Sequence, residues 1–429
     1  MQLRSRPLKR VIGFTGMSAL VLAAICAAAA EKHAAPTLKD ALAGARAALV
    51  MSDAGLSGEG AAILASAVGE SRFVLLGEDH FSREIPRFTA MLCDLMKPDA
   101  YAVEAGPDAA RFVSSVLRSS TRTKQIAERA RRYPNSIAFL DVVEENDAAA
   151  HCAGVSRNPR FALWGLDQEF LGAAGALLEA MLATGPGPTS RAAIADLQAR
   201  EKLASEKARA SGDPGPLVLL SATPADLKPL ADAVKADGND ATRVLLDELL
   251  VSRHIYRLNA EGSPDSNSDR AQLFKQHFLA EYAAIKTEIA APRVLFKFGD
   301  NHSGKGFSPL QVRDIGNFVA EFADGEKARS LHVMVFGARG KHGAFAGFDK
   351  PLKAESFAIA DYPGYGWIEP AISGMLATTY KGEGTTLTLY DLRKLRFRGI
   401  DMPPDWKRIV FSYDLMVLMP EISAASLIR

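Results

Sequence analysis

Short continuous apolar runs recur along the chain. Alternating polar residues, which strands with one solvent-facing side would show, do not interrupt them. The runs therefore predict strands buried on both faces of a parallel sheet. The predicted strands cover residues 72–77, 100–104, 160–165, 293–299 and 331–337, with two more near the end of the chain at 385–390 and 409–418.

Helical patterns follow several of these runs. Ile85 and Phe88 belong to an apolar series at helical spacing that predicts a helix over residues 84–96. Pro107 suits the first position of a second helix, and Ser308 with the following proline suits the start of a third. Alternation of strand and helix is typical of α/β proteins. We therefore expect an α/β fold with a mostly parallel sheet flanked by helices.

Residues from about 171 to 290 contain no convincing strand pattern. The stretch divides at glycine–proline clusters into helical segments. One segment begins at Thr223 and Pro224, a capping hydroxyl followed by proline at the first helical position. We expect one α/β domain over residues 31–429, with a large helical insertion at about 171–290 that could act as a lid.

The first thirty residues form a different kind of segment. Basic residues between Arg4 and Arg10 precede an apolar stretch, which ends in small residues before Glu31. This order predicts a signal peptide over residues 1–30 and a periplasmic or secreted mature protein. An uncleaved anchor is the alternative, because about 20 apolar residues can cross a bilayer. After signal removal we expect no membrane span.

The net charge of the chain restricts the classes of partner that it is expected to bind. The chain has 51 Lys and Arg against 50 Asp and Glu, a net charge of +1. Loss of the first thirty residues removes only basic charge, so the mature chain is slightly acidic. Nucleic-acid-binding proteins usually show a basic excess, and we therefore expect no nucleic-acid partner.

Two cysteines, Cys93 and Cys152, follow the predicted signal peptide. They are too few for a disulfide framework in a domain of this size. Cys93 lies in an apolar helix pattern and is simply explained as a small buried residue. Pairing of the two in an oxidising compartment is the alternative, and the sequence does not decide between them.

Acidic residues and histidines stand where four predicted strands end. Ligands of parallel α/β sheets bind outside the carboxyl ends of the strands. We therefore expect these side chains to meet in one crevice. They are Glu78 and His80 after the first strand, Glu104 after the second, Asp167 after the third, and Asp300 and His302 after the fourth.

Two imidazoles and several carboxylates can support two kinds of chemistry. They can bind a divalent metal ion that activates water, or one histidine can act as a general base that a carboxylate orients. Glu78 and His80 are two residues apart, so in extended backbone both face the same side and could contact one ion. The sequence contains no nucleophile elbow, phosphate loop or dinucleotide fingerprint.

These motifs resemble the superfamily that joins erythromycin esterases, the haem-binding ChaN proteins and the Tiki and TraB group. The similarity lies in short motifs and their order along the chain. Glu78, His80 and Glu104 match the first part of the signature, and Asp300 and His302 match the second. Further similar segments are 76–88, 102–106, 267–278, which contains Arg270, and 409–420.

The resemblance implies a secreted hydrolase that cleaves an ester or amide with activated water, as an esterase or a metal-dependent peptidase. His80, His302, Glu78 and Glu104 would be the catalytic residues, or the ligands if a metal is bound. A haem- or iron-binding protein of the ChaN type is the alternative. The residues expected to contact the substrate are Arg87, Arg270, Asp167 and Asp300.

Overall fold

The computed structural model describes residues 36–362, 364–375, 384–396 and 399–429. The predicted signal peptide, residues 1–30, lies outside these ranges, and its cleavage stays a prediction. Within the described ranges, no helix combines the length and apolar character needed to cross a membrane.

A nine-stranded sheet forms the centre of the fold, in the order β2-β1-β10-β11-β7-β3-β6-β4-β5. The strands from β11 to β5 run parallel, and the β2, β1, β10 and β11 neighbours are antiparallel. A separate two-stranded sheet pairs β8 with β9. The strands are β1 (Arg46–Ser52), β2 (Gly55–Ser57), β3 (Phe73–Glu78), β4 (Ala100–Val103), β5 (Leu163–Gly165), β6 (Val294–Gly299), β7 (Ser330–Gly337), β8 (Arg339–Ala344), β9 (Lys353–Ala358), β10 (Thr385–Asp391) and β11 (Leu415–Met419).

Helices cover the sheet, as the alternating pattern predicted. They are α1 (Leu38–Ala45), α2 (Glu59–Gly69), α3 (Glu84–Met96), α4 (Pro107–Val116), α5 (Arg122–Arg132), α6 (Val143–Val155), α7 (Ala174–Ala183), α8 (Pro188–Ser211), α9 (Val218–Ser221), α10 (Pro224–Asp237), α11 (Asp240–Ala260), α12 (Asp265–Lys286), α13 (Asp300–Ser303), α14 (Ile315–Gly325), α15 (Glu369–Ile372) and α16 (Pro404–Ser412). The α/β fold class is thereby confirmed.

The central strands are apolar along their whole length because helices cover both faces of the sheet. Every residue of β3, β4, β5, β6 and β11 is buried. The buried side chains form a core on each side of the sheet. The continuous apolar runs therefore correctly predicted that these strands are buried on both faces.

Two predicted boundaries are wrong. The predicted strand at 409–418 begins as the end of helix α16, and β11 starts only at Leu415. Ile409 and Val410 are buried as part of an amphipathic helix, and a short apolar run cannot distinguish that from a strand. The helix expected from Ser308 begins at Ile315, where the Asp314 side chain caps its first backbone N–H.

Residues 174–286 are helical throughout, from α7 to α12, apart from short connections. Several of these helices pack around an apolar cluster of their own, which includes Leu177, Ile194 and Leu249. Thr223 and Asp226 form a capping box at the start of α10, as the Thr-Pro pair indicated. The helical character of the insertion agrees with the prediction, and its role as a lid stays a prediction.

The hairpin β8–β9 was not predicted, because its glycine-rich, basic first strand resembles a solvent-exposed loop. The tip of the hairpin reaches the insertion, where Phe348 is buried beside Leu217 and donates its N–H to the Gly212 carbonyl. Phe345 packs edge-on against Phe170 in the same region. The hairpin therefore joins the sheet domain to the helical insertion.

Cys93 on α3 and Cys152 on α6 form a disulfide that joins two adjacent helices. The two cysteines are 59 residues apart in sequence, and both are buried. Of the two alternatives that the sequence left open, the structure therefore has the paired cysteines.

We predict that replacing both cysteines by alanine lowers the free energy of unfolding by about 2–4 kcal/mol, since the disulfide restricts the unfolded chain. Urea titration of the wild type and the double variant measures the difference. Dithiothreitol should destabilise the wild type by a similar amount and leave the double variant unchanged. Free thiols at both positions in the denatured, unreduced wild type would contradict the pairing.

Candidate active site at the carboxyl ends of the strands

The four predicted strand ends lie side by side in the sheet, in the order β3, β6, β4 and β5. Glu78 at the end of β3 is in register with Gly299 at the end of β6. A Cβ added to Gly299 would lie 3.0 Å from His80 Nε2. The glycine therefore lets the backbone of β6 approach the imidazole closely.

His80 is held at its Nδ1 atom by Glu78, at 2.8 Å from the carboxylate Oε1. The same oxygen accepts a bond from the Lys297 ammonium group, which also binds Glu145 Oε1 at 2.5 Å. The ring of Phe139 stacks on the imidazole with a centroid distance of 4.2 Å. These contacts fix the imidazole in one orientation, with Nε2 directed away from Glu78.

Glu104 lies between the two histidines. Its Oε2 atom is 3.4 Å from His80 Nε2, and its Oε1 atom is 3.5 Å from His302 Nε2. The backbone N–H of Gly299 donates to Oε2 at 2.7 Å, and the carboxylate is buried. One carboxylate therefore faces the reactive nitrogen of each imidazole.

His302 is oriented in the same way as His80, by a carboxylate at Nδ1. Asp314, the residue that caps α14, lies 2.7 Å from that nitrogen. Phe274 packs edge-on against the imidazole. The His302 side chain is 7% exposed against 24% for His80, so His80 is the more accessible of the two.

Arg270 from α12 closes the other side of the site. Its guanidinium donates to Asp167 through Nε at 2.9 Å and to Glu104 through Nη2 at 2.9 Å. It also lies 3.4 Å from His302 Nε2. The side chains of Arg270 and Asp167 bind each other, and Arg270 also positions Glu104. Their contact with substrate stays a prediction.

Burial and neighbouring charges compete in setting the protonation of the histidines. Burial opposes a charged imidazole, but the Glu104 and Glu78 carboxylates outweigh it and raise the pKa of His80 to about 10. The pKa of His302 is raised by Glu104 and Asp314 against the same cost of burial. Burial would raise the pKa of Glu104, yet the two histidines and Arg270 hold it well below its usual range.

Lys297 and Glu145 are the buried groups behind Glu78. Burial raises the pKa of Glu145 to about 7, although Lys297 opposes the shift. The pKa of Lys297 is raised because Glu145 and Glu78 together outweigh the effect of burial. Lys297 therefore stays charged at neutral pH and neutralises Glu78.

A cavity of about 20 Å³ lies beneath His80, large enough for one water molecule. Its polar lining includes Glu78, Glu104 and Glu145. Among the hydrogen bonds of the described residues, the buried Glu78 Oε2 atom has no partner. A water molecule bound in this cavity would satisfy that oxygen.

The other two predicted substrate-binding residues, Arg87 and Asp300, contact protein groups. Arg87 is on the surface, where it pairs with Asp53 at 2.6 Å, and its contact with substrate stays a prediction. Asp300 is buried, and its backbone carbonyl accepts a bond from Tyr413. Burial raises the pKa of Asp300 to about 6 against a hydrogen bond from Tyr365, and its partners are therefore protein groups.

Sequence reasoning missed four residues of the site. Lys297 carried a usable signal, since a lysine inside an apolar strand buried on both faces needs an acidic partner. Asp314 could have been noticed as a helix cap. Phe139 and Glu145 lie outside the strand ends, and nothing in the sequence associates them with His80.

The donor set does not fit a metal ion. No group of three or more His, Cys, Asp and Glu side chains in the described ranges is arranged to hold one. Lys297 binds the oxygen of Glu78 that His80 contacts, and Arg270 binds Glu104. A bound metal ion would lie beside both of these positive charges, which oppose its binding.

The site does not fit haem either. A cavity of about 20 Å³ at His80 is far smaller than a cofactor pocket of several hundred Å³. The Nε2 atoms of His80 and His302 face Glu104, and neither is directed toward a space that could hold the macrocycle.

Comparisons with known proteins are informative at the level of structure. No protein-family model matches the sequence, and no curated protein matches it. Solved structures match over most of both chains. One is a mutant of the erythromycin esterase EreC in its open conformation, with 16% identity, a TM-score of 0.51, and coverage of 86% of this chain and 95% of that one.

The second is a succinoglycan biosynthesis protein, with 12% identity and a TM-score of 0.54 over 91% of this chain and 98% of that one. Identities this low establish a shared fold and leave the reaction open. The fold expected from the strand-end motifs is thus confirmed. This chain has the fold of erythromycin esterase EreC.

Proposed function

We propose that the protein is a hydrolase that cleaves an ester or amide with water activated by His80. The observation that carries the proposal is the position of His80 at the carboxyl edge of the sheet, where Glu78 holds its Nδ1 atom and the side chain stays 24% exposed. The fold shared with an erythromycin esterase supports hydrolysis.

In this proposal the neutral His80 acts as general base. Its Nε2 atom removes a proton from water while the water oxygen attacks the carbonyl carbon. The Glu78 carboxylate accepts the Nδ1–H bond and stabilises the imidazolium that forms. Glu104 lies 3.4 Å from the Nε2 atom and adds to the stabilisation.

His302 would complete the reaction as an acid. The carboxylates of Glu104 and Asp314 favour its protonated form, and a protonated Nε2 can donate to the oxygen or nitrogen that leaves the carbonyl. His80 and His302 then have separate roles on either side of Glu104, one accepting and one donating a proton.

The proposed location is the periplasm or the medium. The Cys93–Cys152 disulfide supports it, because stable disulfides form mainly in oxidising compartments. We propose a small-molecule or peptide substrate, with selectivity residing in the helical insertion. Haem or iron binding has no support in the donor geometry at the two histidines.

We predict that His80→Gln abolishes hydrolysis and lowers the free energy of unfolding by less than about 2 kcal/mol, since the side chain is partly exposed. His302→Gln should also abolish hydrolysis but destabilise by about 3 kcal/mol, because it removes a cationic partner from the buried Glu104 and Asp314. A panel of aryl esters and peptides, with urea unfolding, measures both.

His254→Gln is the matched control, since His254 also pairs with an aspartate but lies on the surface of the insertion. It should retain wild-type turnover. Wild-type turnover by His80→Gln would contradict the proposed base.

A second prediction concerns pH. Because the carboxylates raise the pKa of His80 to about 10, only a small fraction of the imidazole is neutral at pH 7. While His302 stays protonated, the value of kcat/KM should therefore rise about tenfold per pH unit from pH 7 towards the pKa of His80. Glu104→Gln removes a negative charge next to Nε2 and should shift the rise to lower pH.

Circular dichroism at each pH provides the check that the protein stays folded. A fall in kcat/KM between pH 7 and 9 with the protein intact would indicate that the imidazolium is the active form, contrary to the proposal.

A further inference from the structure

Phe81, the residue that follows His80, has an unusual backbone conformation. Its φ of 65° lies in the left-handed region, which disfavours a residue that carries a Cβ. Such conformations persist where surrounding contacts hold them, and they cluster at active sites. The backbone that carries His80 therefore depends on contacts made by Phe81.

Two backbone donors converge on the Phe81 carbonyl. Ala425 donates its N–H at 2.9 Å and Gly343 donates its N–H at 3.0 Å. A Cβ on Gly343 would lie 2.9 Å from the Cβ of Phe81. Glycine at 343 therefore allows the hairpin to come close enough to make its bond.

The donor Ala425 belongs to residues 421–428, here called the tail segment. It pairs with the chain after His80, where Ser82 is opposite Ala424 in an antiparallel bridge and Arg83 donates to the Ser423 carbonyl at 3.0 Å. The tail segment thus adds a short strand to the loop that carries His80.

The tail segment also binds the hairpin and the chain around Phe139. Lys341 of the hairpin donates to the Ile422 carbonyl at 2.9 Å. Val143 donates to the Ser426 carbonyl at 2.8 Å, a few residues beyond the ring that stacks on His80. Three segments around the imidazole are therefore connected through one stretch of chain.

We infer that the tail segment and Gly343 position His80 for the reaction. By holding the Phe81 carbonyl they fix the left-handed backbone next to His80 and keep its Nδ1 atom on Glu78. Their role is positioning, because neither contacts the imidazole. The expected effect on turnover rests on the proposed hydrolase function. The geometry of His80 can be measured whether or not the protein is a hydrolase.

The test is Ala425→Pro, which removes the N–H that binds Phe81 in a chain segment whose extended form accepts proline. Ala424→Pro is the matched control, since the Ala424 N–H makes no bond to any described residue. In protein labelled with ¹⁵N-histidine, the wild type and Ala424→Pro should show a downfield Nδ1–H resonance for His80. That resonance should be lost or broadened in Ala425→Pro.

Turnover of an ester gives the second readout. Ala425→Pro should lower kcat about tenfold or more with KM nearly unchanged, since small misplacement of a catalytic group is costly. Ala424→Pro should stay within about twofold of the wild type. The substitution Phe81→Gly removes the backbone strain, so adding Ala425→Pro to it should cause a smaller loss than in the wild type.

If Ala425→Pro does not fold, Gly343→Ala replaces it, because the added methyl group displaces Phe81 and leaves the tail segment intact. An Nδ1–H resonance as sharp in the test variant as in Ala424→Pro would overturn the inference. Absence of turnover in every protein, including the wild type, would overturn the proposed hydrolase function, and the resonance would still decide the positioning role.

Discussion

The site depends on the burial of Glu104 between two imidazoles. Removing a carboxylate from water is costly unless cations and hydrogen bonds replace the lost solvation. The fold supplies Arg270, the backbone N–H of Gly299 and the two histidines around this one carboxylate. His80 follows β3, Gly299 ends β6 with His302 just after it, and Arg270 comes from α12. The parallel sheet and this helix therefore bring the groups together.

The same requirement explains Lys297. Glu78 must be ionised to hold the Nδ1 atom of His80, yet it lies at the buried end of β3. Lys297 projects from the neighbouring strand and neutralises it, and Glu145 shares the ammonium group. The Lys297 and Arg270 cations thus neutralise the two carboxylates that face His80.

Much of the fold could be predicted because its determinants are local. Apolar runs such as the one ending at Glu78 showed which strands are buried on both faces, and strand-end acids indicated a common crevice. The sequence did not predict the positions of side chains that depend on tertiary contacts. Arg87 stands close to His80 in sequence but faces the surface, whereas Phe139 is distant in sequence and stacks on the imidazole. Ile409 was assigned to a strand because a short apolar run does not reveal its periodicity.

The proposed hydrolysis by His80 requires no metal ion. The decisive measurement is the hydrolysis of an ester panel by protein dialysed against a strong chelator, with metal content determined on the same sample. If His80 activates water without a metal ion, the chelated protein should keep full activity, and addition of zinc, manganese or cobalt should not increase it. Loss of activity on chelation with recovery on adding one of these ions would contradict this mechanism, and would mean that Lys297 and Arg270 give way to a cation during catalysis.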